Sequence, residues 1–203
     1  MALSSRERLN RLLDLAARGA GGRAALLDEL ADLLSDWPAD YAQAMRAPFE
    51  ALFEKTAREA GGAARTALAA RLADHEELPL ALINEFFLDA DAPSRARILK
   101  RNQSLDDDTP PPRADGAALV AAARRTINGA FADTFAAALT LPRGMAEAIL
   151  ADPEAFAVAC KGAGLDRAAY SAVALLCGSA LAPFEDIPQA GAERLTRFWR
   201  ERG

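Results

Sequence analysis

Asp152-Pro153-Glu154-Ala155-Phe156-Ala157-Val158-Ala159-Cys160-Lys161-Gly162-Ala163-Gly164-Leu165-Asp166 is the stretch from which the fold can be read. An aspartate able to bond free first-turn amides, a proline whose fixed φ suits the first helical position, and an acid at the positive end of the helix dipole together mark a helix start. Gly162 and Gly164 stop that helix, and Asp166 caps the next one. The second segment sets Tyr170, Val173, Leu176 and Cys177 at helical spacing. Two helices joined by so short a turn read as an antiparallel hairpin.

The same punctuation recurs outward from this unit. Upstream, Leu119, Ala123, Ile127, Phe131, Phe135 and Leu139 recur every four residues, which predicts one long helix over 116–139 or two with a kink at Gly129. Pro142 opens a helix burying Met145 and Ile149. A last helix, from about Pro188 to Arg202, places Leu195, Phe198 and Trp199 inward. In the first half, a helix over 5–18 presents Leu9, Leu12, Leu13 and Ala16 on one face, and one over 23–34 presents Leu26, Leu27, Leu30 and Leu34. A third carries Tyr41, Met45, Phe49, Leu52, Phe53 and Thr56, with a kink or break expected at Pro48. Shorter helices follow over 63–73, 79–88 and 93–101. Asp106-Asp107-Asp108-Thr109-Pro110-Pro111-Pro112 reads as a stiff exposed linker. The expected organisation is an N-terminal helical-repeat subdomain (1–104), an acidic, proline-rich linker (105–115) and a C-terminal helical subdomain (116–203).

Composition agrees. Alanine supplies 50 of 203 residues and β-branched residues are few, which favours helix and disfavours strand. The fold class expected is all-α: stacked antiparallel pairs in a HEAT-like α-solenoid, or an irregular multi-helix bundle. Basic residues are arginine except for Lys55, Lys100 and Lys161, a composition typical of GC-rich bacterial genomes. Fourteen basic face sixteen acidic residues through residue 104 (−2), and ten face thirteen beyond it (−3). Neither half is basic, which weighs against nucleic-acid or anionic-membrane binding. The longest uncharged run, Ala168 to Phe184, falls short of the ~20 residues that span a bilayer and reads as a buried central helix. With no secretory h-region at the start, the expected compartment is the cytoplasm, with thiols reduced.

The passage Arg65-Thr66-Ala67-Leu68-Ala69-Ala70-Arg71-Leu72-Ala73, then Leu78-Pro79-Leu80-Ala81-Leu82-Ile83, then Ile98-Leu99-Lys100-Arg101-Asn102-Gln103-Ser104-Leu105-Asp106-Asp107 resembles the alphaproteobacterial helical family called domain of unknown function 2336. Members share an arginine-rich helix, an apolar helix, and a leucine–polar–serine–leucine–acid passage. The resemblance covers about residues 60 to 110. It implies an α-helical repeat fold and transfers no catalytic residue.

Few residues carry chemistry. His75 is the only histidine, which excludes a histidine triad or a two-histidine metal site and leaves it a loop or cap residue. Cys160 and Cys177 lie on apolar faces and read as buried thiols, with a disulfide, a redox switch or a zinc site sharing His75 as alternatives. Three consecutive aspartates before prolines lack the alternating ligands of a calcium loop. No phosphate-cradling glycine loop, nucleophile elbow or dinucleotide fingerprint is present, so no cofactor is expected. Glu85, Asp89 and Asp91 are near enough in sequence to be considered as a carboxylate-only catalytic group.

Two basic features remain. Arg95, Arg97, Lys100 and Arg101 share one short helix, through local charge pairing or as a groove for phosphate or acid. Arg194, Arg197 and Arg200 form an i, i+3, i+6 stripe opposite Leu195, Phe198 and Trp199, favourable at a helix C-terminus in its own right or usable as an arginine- and tryptophan-rimmed docking surface. The expectation is a non-enzymatic scaffold or adaptor for an unknown protein partner, with Arg194, Arg197, Trp199, Arg200, Arg97 and Arg101 as candidate contacts. The alternative is a HEAT-like nucleic-acid binder using a local arginine stripe.

Overall fold

The computed structural model describes residues 5–73, 75, 78–103, 113–125 and 131–202. Among these, every regular element is helical and no strand occurs, so the protein is all-α. The linker aspartates and prolines at 104–112 and the expected kink at Gly129 lie outside the described residues. The chain separates into two compact units, Met1–Ile98 and Leu99–Gly203.

In the first unit, α1 (Ser5–Ala17) runs through a 3-10 turn (Gly19–Gly22) into α2 (Arg23–Ser35), which is followed by a 3-10 turn (Gln43–Met45), α3 (Arg46–Glu59), α4 (Gly62–Leu72), α5 (Leu80–Asn84), a 3-10 turn (Phe87–Asp89) and α6 (Ala92–Gln103). Helix α2 packs against α1, α3 and α4. It therefore buries leucines on several sides, Leu26, Leu27, Leu30, Leu33 and Leu34, as a central helix must. Phe53 of α3 meets Phe86 at 5.7 Å between centroids. Each such large side chain contributes about 1.5–3 kcal/mol on burial.

Arg65 of α4 ties three elements of this unit together. It donates to the Ala57 carbonyl at 2.6 Å and the Glu85 carbonyl at 2.7 Å, pairs with Asp89 at 2.7 Å, and lies over the Phe86 ring.

Three expectations change here. The inward residues of α1 are Leu12 and Leu15, whereas Leu9 and Leu13 are exposed. Helix α1 packs chiefly on α2 and the turn that joins them, so it covers a narrow stripe. Pro48 neither kinks nor breaks α3. It sits in the first turn, where amides have no intrahelical acceptor to lose. Tyr41 precedes the helix. Finally, the boundary between units falls inside α6, before the expected linker. The last turn of α6 belongs to the second unit, where Gly191 rests against the Leu99 carbonyl and Arg194 donates to the Asn102 carbonyl.

The second unit continues with α7 (Gly116–Arg125), α8 (Phe131–Leu139), α9 (Arg143–Leu150), α10 (Pro153–Gly162), α11 (Arg167–Leu176), a 3-10 turn (Phe184–Asp186) and α12 (Gln189–Glu201). Helices α7 and α8 pack against each other, so the repeating apolar pattern over 116–139 belongs to two helices. The signals at Asp152 hold in detail. Its carboxylate accepts from the amides of Glu154 and Ala155, both at 3.0 Å. Asp166 accepts from Ala169 at 2.7 Å, and Gly164 takes φ +77°, the left-handed turn that glycine adopts without strain.

Helix α10 is central, with Ala155 to Cys160 all buried. Its Gly162 lies so close to Ala192 and Thr196 of α12 that a Cβ there would overlap both. A row of rings runs through the core: Phe131 to Phe135 (6.0 Å), Phe135 to Phe156 (5.4 Å), Phe156 to Tyr170 (5.8 Å) and Tyr170 to Phe184 (4.6 Å). Helix α10 pairs with α12, and α7 with α11. The α10–α12 contact is one that stacked helix pairs also make, whereas α7 against α11 joins helices far apart in the chain, and the all-α packing accommodates either a multi-helix bundle or a solenoid. No helix among the described residues is long and apolar enough to cross a membrane.

Candidate functional site: a groove in the second unit

The C-terminal arginines turn inward. Arg194 donates to the Asn102 carbonyl and Arg200 to the Leu139 carbonyl. Burial, with Arg197 adding repulsion, lowers the Arg200 pKa. Trp199 is only 1% exposed, so it is a core side chain and not a rim contact. Phe198, expected inward, is half-buried beneath Arg202, whose guanidinium lies 4.9 Å from its ring centroid. The stripe therefore fastens α12 to carbonyls at helix ends, which are open acceptors. Arg197 is half-buried on the same helix.

The other arginine cluster divides similarly. Arg95 is buried, donates to the carbonyls of Phe87 and Leu88 at 3.1 and 3.0 Å, and lies over the Phe87 ring. It closes the 3-10 turn. Arg97 reaches Ser94 at 3.1 Å; Arg97 and Arg101 are half-buried, and Lys100 is exposed. The carboxylates considered as a catalytic group have separate duties. Glu85 and Asp89 face Arg65, while Asp91 caps α6 by accepting from the Ser94 amide at 2.9 Å. Hydrogen bonds from Ser94 lower the Asp91 pKa. No group of three or more potential metal ligands occurs among the described residues.

Both cysteines are free thiols. Cys160 is buried as expected, and burial raises its pKa far above the ordinary thiol range. Cys177 is exposed, contrary to expectation: it is the C-cap of α11, and residues 175–178 are all exposed.

A surface groove lies beside this helix end. The run from Ala168 to Phe184, uncharged and expected to be core, buries Tyr170, Val173 and Ala174 but exposes Leu175 (68%), Leu176 (45%) and Leu181 (55%). Beside Leu176 and Cys177 lies a groove of about 390 Å³, floored by Ala123 and Phe131 and walled by Leu150 and Glu147. Ser179 lines it too, and Glu147 is held by Arg143 at 2.9 Å, so the groove mixes apolar and polar lining. A groove of this volume can hold two or three large side chains. The signal in the sequence was Leu175-Leu176-Cys177. Three consecutive apolar residues cannot all face one side of a helix.

Fold and site together describe an all-α protein with an open groove among its C-terminal helices. Compared with family models, with curated proteins and with solved structures, the chain matches none.

Proposed function

We propose that this chain is a non-enzymatic helical adaptor that holds an apolar segment of another protein, presented as an amphipathic helix, in the groove between α7, α8, α9 and α11. The observation that carries the reading is the exposure of Leu176 on the lining of this groove, with its chain neighbour Leu175 also exposed. Exposed large apolar side chains favour a partner that covers them, and helix-in-groove recognition uses anchors of this size. Arginine contacts at Arg97, Arg101 and Arg197 are secondary in this reading. Membership in the helical-repeat family that residues 60 to 110 resemble, and a cytoplasmic location, belong to the same proposal.

The test uses the exposed thiol. A photo-crosslinker attached to Cys177, with Cys160 shielded in the core, should trap a discrete protein partner from cell extract. Leu176→Glu places a charge in the groove and should reduce capture at least about tenfold, the effect of losing one interface anchor, with the helical circular dichroism unchanged. Capture that is equal in Leu176→Glu, or that yields nucleic acid released by salt, overturns the reading.

A further inference from the structure

Helix α1 is covered on one side only. Leu12 and Leu15 turn into the first unit, whereas Leu9 and Leu13 are 37% and 61% exposed. Four residues apart, these two leucines stand one above the other on the helix surface. Ala16 and Ala17 are exposed on the next turn, with side chains too short to hold a partner away. Two charged side chains flank this strip and are uncommitted. Arg6 and Asp14 are exposed, and neither side chain has a hydrogen bond or ion pair among the described residues. At about 100° per residue, Arg6 lies about 40° and Asp14 about 120° round from the line between Leu9 and Leu13, both on the same flank. Arg11, on the opposite side, is already held by Glu29 at 2.8 Å.

The order of these residues makes the face complementary to itself. Two copies of α1 laid antiparallel about a two-fold axis level with Arg11 bring Leu9 of each against Leu13 of the other. In such a pair, one flank of the first helix faces the same flank of the second. Arg6 then comes level with Ala16 of the other copy, two residues or about 3 Å along the axis from its Asp14, within reach of a guanidinium. By symmetry the ion pair forms twice. No neighbouring arrangement does as well. A parallel pair sets Arg6 against Arg6 and Asp14 against Asp14. Sliding the antiparallel pair by a turn either puts Leu13 against Arg6 or parts Arg6 from Asp14 by about 9 Å.

We infer that the exposed face of α1 docks on the same face of a second copy of this chain, antiparallel, with Leu9 on Leu13 and Arg6 paired to Asp14 across the two-fold axis. Two leucines and two alanines from each copy bury less area than a permanent dimer needs, so the association is concentration-dependent. It is independent of the groove on the second unit, which a dimer would present twice.

The experiment is sedimentation equilibrium of the full chain in low salt, from about 10 µM to about 1 mM, with reductant present so that no disulfide links the copies. The average mass should rise with concentration from that of the monomer towards twice that value. Leu13→Glu should weaken association by about tenfold or more. Arg6→Asp and Asp14→Arg each set like charges face to face and should weaken it by about tenfold. An acid early in a helix and a base late in it suit the helix dipole, so circular dichroism should be preserved in both. Mixed in equal amounts, these two variants should associate again, because every charge once more meets its opposite in the other chain. Neither a folding defect nor a contact within one chain would produce that recovery. Leu176→Glu should leave association unchanged, so failure here is distinct from failure of the groove. A chain that stays monomeric over the whole range overturns the proposal. So does undiminished association in Leu13→Glu, a mixture that does not recover, or loss of association in Leu176→Glu.

Discussion

Asp152 shows how much a single residue can announce. Its cap was legible because every atom involved lies within three residues of chain, and the structure returns the two bonds from Glu154 and Ala155. Asp152→Ala should destabilise the second unit by about 1 kcal/mol, read as a lower denaturation midpoint, while Asp152→Ser should retain most of the stability. Arginine was the opposite case. Nothing near Arg65 in sequence points to Ala57, Glu85 and Asp89, and nothing near Arg200 points to the Leu139 carbonyl. A guanidinium on a long side chain selects its acceptors only once the helices are assembled, so stripes of arginine looked like surface where the fold uses them as fasteners.

At the level of whole helices, the breaks at glycine and proline place most elements to within a few residues, because these residues act on the backbone directly. What they do not reveal is how closely two helices approach. Gly162 ends α10 in the sequence, yet it is also the point where α10 touches Ala192 and Thr196 of α12. Gly162→Ala forces the helices apart and should cost about 1–3 kcal/mol. Gly144 is exposed on α9, and a Cβ added there would meet no atom within 4 Å. Gly144→Ala should therefore stabilise by about 0.4–1 kcal/mol through helix propensity and lost unfolded-state freedom. Thermal melts of the two variants should move in opposite directions. The open end of α11 escapes the sequence for a related reason. The run over 168–184 is apolar enough to be core, and only the positions of α7 and α9 determine where cover for it ends.

For the molecule as a whole, alanine content and the absence of β-branched runs settle the all-α class, since these act on every residue in the same direction. The pairing of α10 with α12 and of α7 with α11 is not written in any local signal. It depends on which faces fit, and the proline-rich linker drew the expected boundary away from α6, where the packing changes allegiance. The candidate sites were legible only in part: the arginines were conspicuous by type, whereas the groove and the open face of α1 arise from what packing leaves uncovered. The two thiols, one sealed in the core and one at the groove's edge, also govern how the purified protein ages. Held in air, the chain should slowly form a disulfide-linked pair through Cys177 alone, slowly because partial burial raises that thiol's pKa and leaves little thiolate at neutral pH. A non-reducing gel should show the doubled mass for Cys160→Ala but not for Cys177→Ser. Because Cys177 lines the groove, such a bond would put a second chain at its edge, so a reductant determines whether stored protein keeps that surface open.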